Sequence, residues 1–258
     1  MDDLVCVILA AGLGKRMKSK LAKVLHKLCG KEMIRYVVET ISSLNVDRKI
    51  VVVGYQGEKV AKILEGKAEI VFQHEQLGTG HAVKQVEPIL SGFTGDILVV
   101  SGDTPLLTKE TLNRMIDVHR MKKAAVTILT AVLADPTGYG RIIRRKDGTI
   151  SKIVEEADAT PFEKSLLEVN TGTYCFRSDL LFWALDKITC QNRQGEYYLT
   201  DVVEILRKGN RIEAVRSDSS VEVMGINNRS QLQQAEEILR KRRKMDEQST
   251  KTTFWKCQ

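Results

Sequence analysis

Residues 4–17 read LVCVILAAGLGKRM. The first seven are a continuous apolar run, and alanine, glycine and cations follow at once. A short apolar run with that ending reads as a strand buried on both faces. Strands of this kind belong to parallel sheets that carry helices on both sides. The pattern recurs along the first half of the chain. KIVVVG (49–54), AEIVFQ (68–73) and DILVVSGD (96–103) are strand-like, while MIRYVVETISSL (33–44), GEKVAKILEG (57–66) and TGHAVKQVEPIL (79–90) have helical spacing. The fold class expected is therefore α/β, with a mostly parallel central sheet flanked by helices. In such sheets ligands bind outside the carboxyl ends of the strands. That directs attention to residues 11–18, 73–80 and 101–105.

The loop after the first strand matches neither common phosphate-binding pattern. A dinucleotide fingerprint needs a third glycine where Met17 stands, and a Walker loop needs Ser or Thr where Arg16 stands and Gly where Leu9 stands. What remains is a glycine-containing turn with Lys15, Arg16, Lys18, Lys20 and Lys23 close by. Glycine lets backbone N–H groups approach an anion, and arginine grips phosphate oxygens with two parallel bonds. The plainer reading is a tight turn with surface cations. In SGDTPL (101–106), Asp103 falls at the end of an apolar strand, where a carboxylate suits Mg²⁺ shared with substrate phosphate. A turn or cap before Pro105 is the alternative.

Past residue 124 the rhythm changes. AAVTILTAVL (124–133) reads as a strand, GRIIRRKDGTISKIVEE (140–156) as a hairpin turning at Asp147-Gly148, and NTGTYCF (170–176) as another strand. Helices are expected at about 178–188, 199–208 and 230–245, with 246–258 a frayed tail. His26 and His119 sit in helix-like contexts and read as structural, whereas His74 and His81 flank EQLGTG. No serine or cysteine has a nucleophile-elbow context.

Composition narrows the class. The net charge of +7 concentrates in residues 240–258, which carry +5, so the body is close to neutral and nucleic acid is not the expected partner. RKRRK (240–244) reads as the solvated end of a helix. Five scattered cysteines form no CxxC pair and no His/Cys cluster, which supports neither a disulfide framework nor a zinc site. With no leader-like N-terminus and no apolar run of membrane length, a cytoplasmic location away from the membrane is expected.

LAAGLGKRM, KVLH, EQLGTGHA, GDTPL, DPTGYGRI, IVEEADAT, NTG, GEYYLTD and GINNR occur in this order. Together they resemble the N-terminal uridyltransferase domain of the bacterial bifunctional N-acetylglucosamine-1-phosphate uridyltransferases, within the sugar nucleotidyltransferases. The likeness covers about residues 4–240. It implies a Rossmann-like nucleotide-diphospho-sugar transferase fold over 1–229, with a nucleotide-binding part (about 1–123) and a smaller, β-rich sugar-binding part (about 124–229). It implies transfer of UMP from UTP to N-acetylglucosamine 1-phosphate with Mg²⁺ as cofactor. Leu9, Ala10, Ala11, Gly12, Ser101 and Gly102 would contact the nucleotide, and Gln73, Gly78 and Thr79 would read the uracil. Arg16 and Lys23 would hold phosphates, Asp103 and Asn227 the metal, and Gly140, Glu155, Asn170 and Thr200 the sugar. A related nucleotidyltransferase using dTTP or another sugar phosphate, and a sensor that binds without turnover, are the competing readings.

Two departures from the pattern stand out. The residue before Lys23 is Ala22 where the family usually has proline, which predicts a looser Lys23 loop. The hexapeptide-repeat acetyltransferase domain of the family is not seen in the sequence. The expectation is therefore a chain without acetyltransferase activity, a monomer or weak oligomer rather than a β-helix trimer.

Overall fold

The computed structural model describes residues 3–254. The chain opens with strand β1 (Leu4–Ala10), a 3₁₀ turn (Lys15–Met17), a second 3₁₀ turn (Lys23–Leu25) and a short hairpin, β2 (Lys27–Leu28) and β3 (Lys31–Glu32). Helix α1 (Met33–Ser42), β4 (Arg48–Val53), α2 (Gly57–Ile63), β5 (Glu69–Phe72), α3 (Thr79–Lys84) and β6 (Asp96–Ser101) complete the first half. Helix α4 (Lys109–Lys122), β7 (Val126–Val132), the hairpin β8 (Arg141–Arg144) and β9 (Ile150–Val154), and α5 (Pro161–Lys164) follow. The chain then forms β10 (Glu168–Arg177), α6 (Ser178–Leu185), α7 (Asp201–Leu206), β11 (Ile212–Arg216) and α8 (Arg229–Phe254).

The main sheet runs β11-β7-β10-β6-β1-β4-β5, with the β8–β9 hairpin attached beside β10. β1 pairs in parallel with both β4 and β6, and β5 with β4, as the apolar runs predict. β10 runs antiparallel to all three strands it pairs with, β6, β7 and β8. Its amino end therefore lies on the edge where β1 and β6 finish. This brings Asn170 to the edge where β1 and β6 end although it precedes most of its strand.

Alternation along β1 divides the core. Leu4, Cys6, Ile8 and Ala10 pack on one face with α1, and Val5 and Val7 on the other with α3 and α6. In α1 the buried Ile34, Val37, Val38 and Ile41 recur at helical spacing and form the stripe that covers the first face. A third apolar group, including Leu28, Met33, Tyr36, Leu106 and Ile226, receives Ala235 and Leu239 of α8.

Several boundaries differ from the sequence reading. The helix expected over 79–90 stops at Lys84 and resumes as a 3₁₀ turn, Glu87–Leu90, with Pro88 in its first turn. His26 is not helical: it is the extended residue that ends the Lys23–Leu25 turn. Helix α8 does not stop at 245 but continues to Phe254, so the frayed tail expected from 246 is helical as far as the described residues go. Residues 255–258 of that expected tail lie outside the described residues. RKRRK is only partly solvated. Arg242 donates to the Leu106 carbonyl at 2.9 Å, and Arg243 to the Tyr36 hydroxyl at 3.1 Å, clamping α8 to the body. Among the described residues no helix is long and apolar enough to cross a membrane.

Candidate active site

The connection from β1 leads to β4 on one side, whereas β6 returns to the other side of β1. That reversal opens a crevice at the carboxyl ends of β1 and β6. Leu9 is in register with Ser101, so the loops that follow the two strands face each other. The cleft there measures about 600 Å³. Leu9, Ala10, Ala11, Gly12, Arg16, Lys23, Gln73, Gly78, Thr79, Ser101, Asp103 and Asn227 all line it. Gly102 does not. A Cβ on Gly102 would strike Ile34 Cδ1 at 2.9 Å, so this glycine serves packing beneath the loop.

Gly12 has the opposite character. A Cβ built there meets nothing within 4 Å and would project where the protein has no atoms. Gly12 is exposed, so the loop is open to the cleft and to solvent at this point.

Asp103 lies in the turn two residues beyond the end of β6, and its carbonyl accepts from Ile226 N–H at 2.9 Å. That bond brings the GINNR segment to the crevice. Lys23 donates from Nζ to Asp103 Oδ2 and, at 3.1 Å, to Asn227 Oδ1. Arg16 Nη2 reaches the same Asn227 oxygen at 2.9 Å. Two hard oxygens thus converge on one cation, and a lysine ammonium is that cation here. The donor set suits a divalent ion that prefers oxygen. Tyr139 closes this corner, its hydroxyl accepting from Gly225 N–H at 3.3 Å.

At the far end, Gln73 is buried, and its Nε2 donates to the Gly78 carbonyl at 3.1 Å with His81 Nδ1 2.9 Å away. A carbonyl can only accept, so this contact identifies which amide atom is nitrogen and leaves Oε1 available. Gly78 has φ +114, and a Cβ on it would lie 2.6 Å from the Tyr197 carbonyl oxygen. Gly80 N–H donates to that same oxygen at 2.8 Å, and Thr79 Oγ1 accepts from Leu199 N–H at 3.0 Å. QLGTG and GEYYLTD are therefore two sides of one contact. His81 supports Gln73 from behind, while His74 is exposed and stacks on Phe72.

The four sugar-assigned residues gather beside the cleft rather than on its lining. Asn170 N–H donates to the Gly140 carbonyl at 2.8 Å, and Thr200 Oγ1 donates to Glu155 Oε1 at 3.1 Å. A Cβ on Gly140 would sit 3.3 Å from Glu155 Oε2. Burial, ahead of the opposing Thr200 bond, raises the Glu155 carboxyl above the usual range. Asn170 is committed in part, since its Oδ1 accepts from Gly172 N–H at 3.2 Å across a bulge in β10 and its Nδ2 donates to Tyr174 Oη at 2.7 Å. Arg141 lies buried behind this group, 2.8 Å from Glu156, and donates to the Tyr139 carbonyl.

Some lining residues escaped the sequence reading, among them Gln76, Gln194 and Glu196. Gln76 stands inside the EQLGTG motif, and its Nε2 donates to the Gln73 carbonyl at 3.0 Å. Gln194 and Glu196 come from the 186–200 connection; Glu196 stands inside the GEYYLTD motif, whereas no local pattern ties Gln194 to β1. The fold also assembles a cluster absent from the sequence reading. Asp96, His119 and Cys175 lie within 4.8 Å of one another, all buried. Arg120 Nε is 2.8 Å from Asp96, and His119 Nδ1 is 3.0 Å from Thr127 Oγ1. Burial alone would raise Asp96, but His119 and Arg120 outweigh it and hold the carboxyl low. With a guanidinium already on its carboxylate, this group reads as a structural knot.

A doubly wound sheet with cations, a carboxylate and an open glycine loop at its switch point defines a nucleotide-handling α/β protein. The chain belongs to the MobA-like NTP transferase domain family, whose profile matches residues 6–147. Three similar proteins carry the name bifunctional protein GlmU. That of Pelotomaculum thermopropionicum is 52% identical over 241 residues, 93% of this chain and 53% of its own length. The Shouchella clausii protein is 52% identical over 243 residues, 94% of this chain and 54% of its own. For Bacillus subtilis the identity is 49% over 243 residues, 94% and 53%. The chain thus spans about half the length of the curated relatives it matches.

Proposed function

We propose that this chain transfers UMP from UTP to N-acetylglucosamine 1-phosphate, giving UDP-N-acetylglucosamine and pyrophosphate. The observation that carries the reading is the convergence of Arg16, Lys23, Asp103 and Asn227 beside the space that Gly12 leaves open. The relatives' similarity along almost the whole chain supports the same reading.

A phosphate monoester has its second pKa at about 6, so the attacking sugar phosphate is already an anion near neutral pH. No general base is required. The residues have instead to gather two polyanions and offset charge on the α-phosphorus and the departing pyrophosphate. Arg16 and Lys23 would do this by binding phosphate oxygens. Asp103 and Asn227 are the residues that would hold Mg²⁺, which when bound supplies Lewis-acid polarisation of the phosphoryl group. Gln73 Oε1 would accept from the N3–H of uracil. Glu155, paired with Thr200, and the amide of Asn170 would receive the sugar's hydroxyl and acetamido groups, with Gly140 allowing close approach.

Pyrophosphate release across a panel of nucleoside triphosphates and sugar 1-phosphates tests the proposal. UTP with N-acetylglucosamine 1-phosphate and Mg²⁺ should be the best combination. Asp103→Asn should lower turnover by about 100-fold or more. Preference for dTTP, for another sugar phosphate, or unchanged turnover in Asp103→Asn would overturn the assignment.

A further inference from the structure

We propose that Gln56 is a positioning residue that sets the approach of Lys23 to the phosphates. The inference rests on the phosphate-binding role given to Lys23 above. Gln56 begins α2 from the N-cap position with φ +55, a left-handed conformation for a non-glycine residue. A residue at this position ordinarily spends its side chain on the free N–H groups of its own helix. Gln56 makes no such bond. Its amide turns to the loop before Lys23, where Nε2 donates to the Lys20 carbonyl at 3.0 Å and Oε1 accepts from Ala22 N–H at 3.0 Å. One planar group thus grips the backbone on both sides of Leu21, and the adjacent Tyr55 hydroxyl donates to the same Lys20 carbonyl at 3.1 Å.

The loop needs an outside hold. Lys18, Ser19, Lys20 and Leu21 are all exposed, and Lys18 has φ +47. Among the described residues, and apart from the Gln56 and Tyr55 bonds, the segment shows only short-range ties, such as Leu21 N–H to Ser19 Oγ at 3.1 Å and a His26 contact with the Leu21 backbone. Ala22 is buried, at φ −55 and ψ 138, and the next residue is Lys23. Proline would fix that φ covalently but would have no N–H to donate. With alanine in place, the Gln56 bond to the amide restrains the same backbone. The looser loop expected from Ala22 therefore has a substitute tether 34 positions along the chain.

Anchoring and action can be read separately. Uridyltransfer and melting temperature are measured for the wild type, Gln56→Ala, Gln56→Glu, Lys23→Ala and the Lys23→Ala/Gln56→Ala double variant, together with hydrogen exchange of the Ala22 amide. Gln56→Ala should lower kcat by roughly 10- to 100-fold, the scale of a misplaced catalytic group. The Ala22 amide should exchange faster while the melting temperature holds. Gln56→Glu keeps the size but sets a carboxylate oxygen against the Lys20 carbonyl, so it should lose activity similarly and covers the case in which the alanine variant fails to fold. In the Lys23→Ala background the Gln56 substitution should cost nothing further, because partners in one chain of action do not add. Unchanged kcat or unchanged Ala22 exchange in Gln56→Ala, or an equal further loss without Lys23, overturns the proposal. A wild type inert across the substrate panel, or Lys23→Ala with full activity, instead defeats the phosphate-binding reading beneath it.

Discussion

In the proposed reaction Gln73 is the side chain that would choose the base. Its Nε2 is held by Gly78 and His81 and the residue lines the cleft, so the amide oxygen is the atom that would meet the base. Uracil offers a donor at N3, whereas cytosine offers a lone pair. A mismatched base leaves buried polar atoms unpaired, which discriminates far better than a change of shape. CTP should therefore be used with kcat/KM lower by roughly 100-fold or more. Comparable efficiency with CTP would remove Gln73 from base recognition. A second residue-scale prediction concerns Asp201 at the start of α7. Its carboxyl is pushed up to about 6, first by burial and then by Glu204 and Asp158. The folded state therefore binds this proton more tightly than the unfolded chain, whose value is the ordinary 3.8. Stability from this group is complete below 3.8 and is lost as pH rises through about 6. Asp201→Asn should raise the melting temperature at pH 7.5, with the gain vanishing below pH 4. A gain equal at both pH values would trace to packing rather than charge.

Among the elements, the 73–80 loop depends most on a distant partner. Its glycines face the backbone of Tyr197 and the side chain of Ile188, so the loop conformation is dictated by residues more than 100 positions away. Gly78→Ala would combine a left-handed φ with a Cβ 2.6 Å from a carbonyl oxygen. Strain of about 2 kcal/mol or more should lower the melting temperature by about 4 °C or more and cost UTP binding with it. A variant that melts like the wild type would show that the loop tolerates displacement. This dependence also explains how far the sequence could be read. β1, β4 and β6 were legible because each is buried along most of its length and so carries an unbroken apolar run, and β5, only partly buried at the sheet edge, was legible from its short apolar run alone. The loops after β1 and β6 were legible because topology puts ligands at strand ends. The direction of β10, its bulge at Asn170–Tyr174 and the arrival of Gln194 and Glu196 at the cleft were not, since each is decided by long-range pairing. The length of α8 was not legible either, because 246–254 lacks the apolar spacing by which a packed helix is recognised.

For the molecule as a whole, α8 joins the site to the body. Asn227 precedes it by two residues, and its N–H donates to Gln231 Oε1 in the first turn of the helix at 2.8 Å. Farther along, Leu239 packs into the group formed by Leu28, Met33 and Tyr36. Leu239→Ala should cost about 2–3 kcal/mol of stability. Activity at 25 °C should hardly change, since Asn227 is fixed by its own bonds near the start of the helix. A parallel loss of turnover in the folded variant would mean that packing at Leu239 sets the Asn227 corner. The antiparallel β10 has a different consequence, one of timing. Chains are synthesised from the amino end at about 5–20 residues per second. β6 is complete at Ser101, but the strand that covers its outer side ends at Arg177. For on the order of 4 to 15 seconds the nascent chain therefore displays an uncovered row of backbone groups along Asp96, Ile97, Leu98 and Val99. An apolar edge of that kind templates pairing with other chains. The seam near residue 123, where the rhythm of the sequence changes, is thus no place to divide this protein: a fragment ending there would retain that edge permanently and recruit its neighbours.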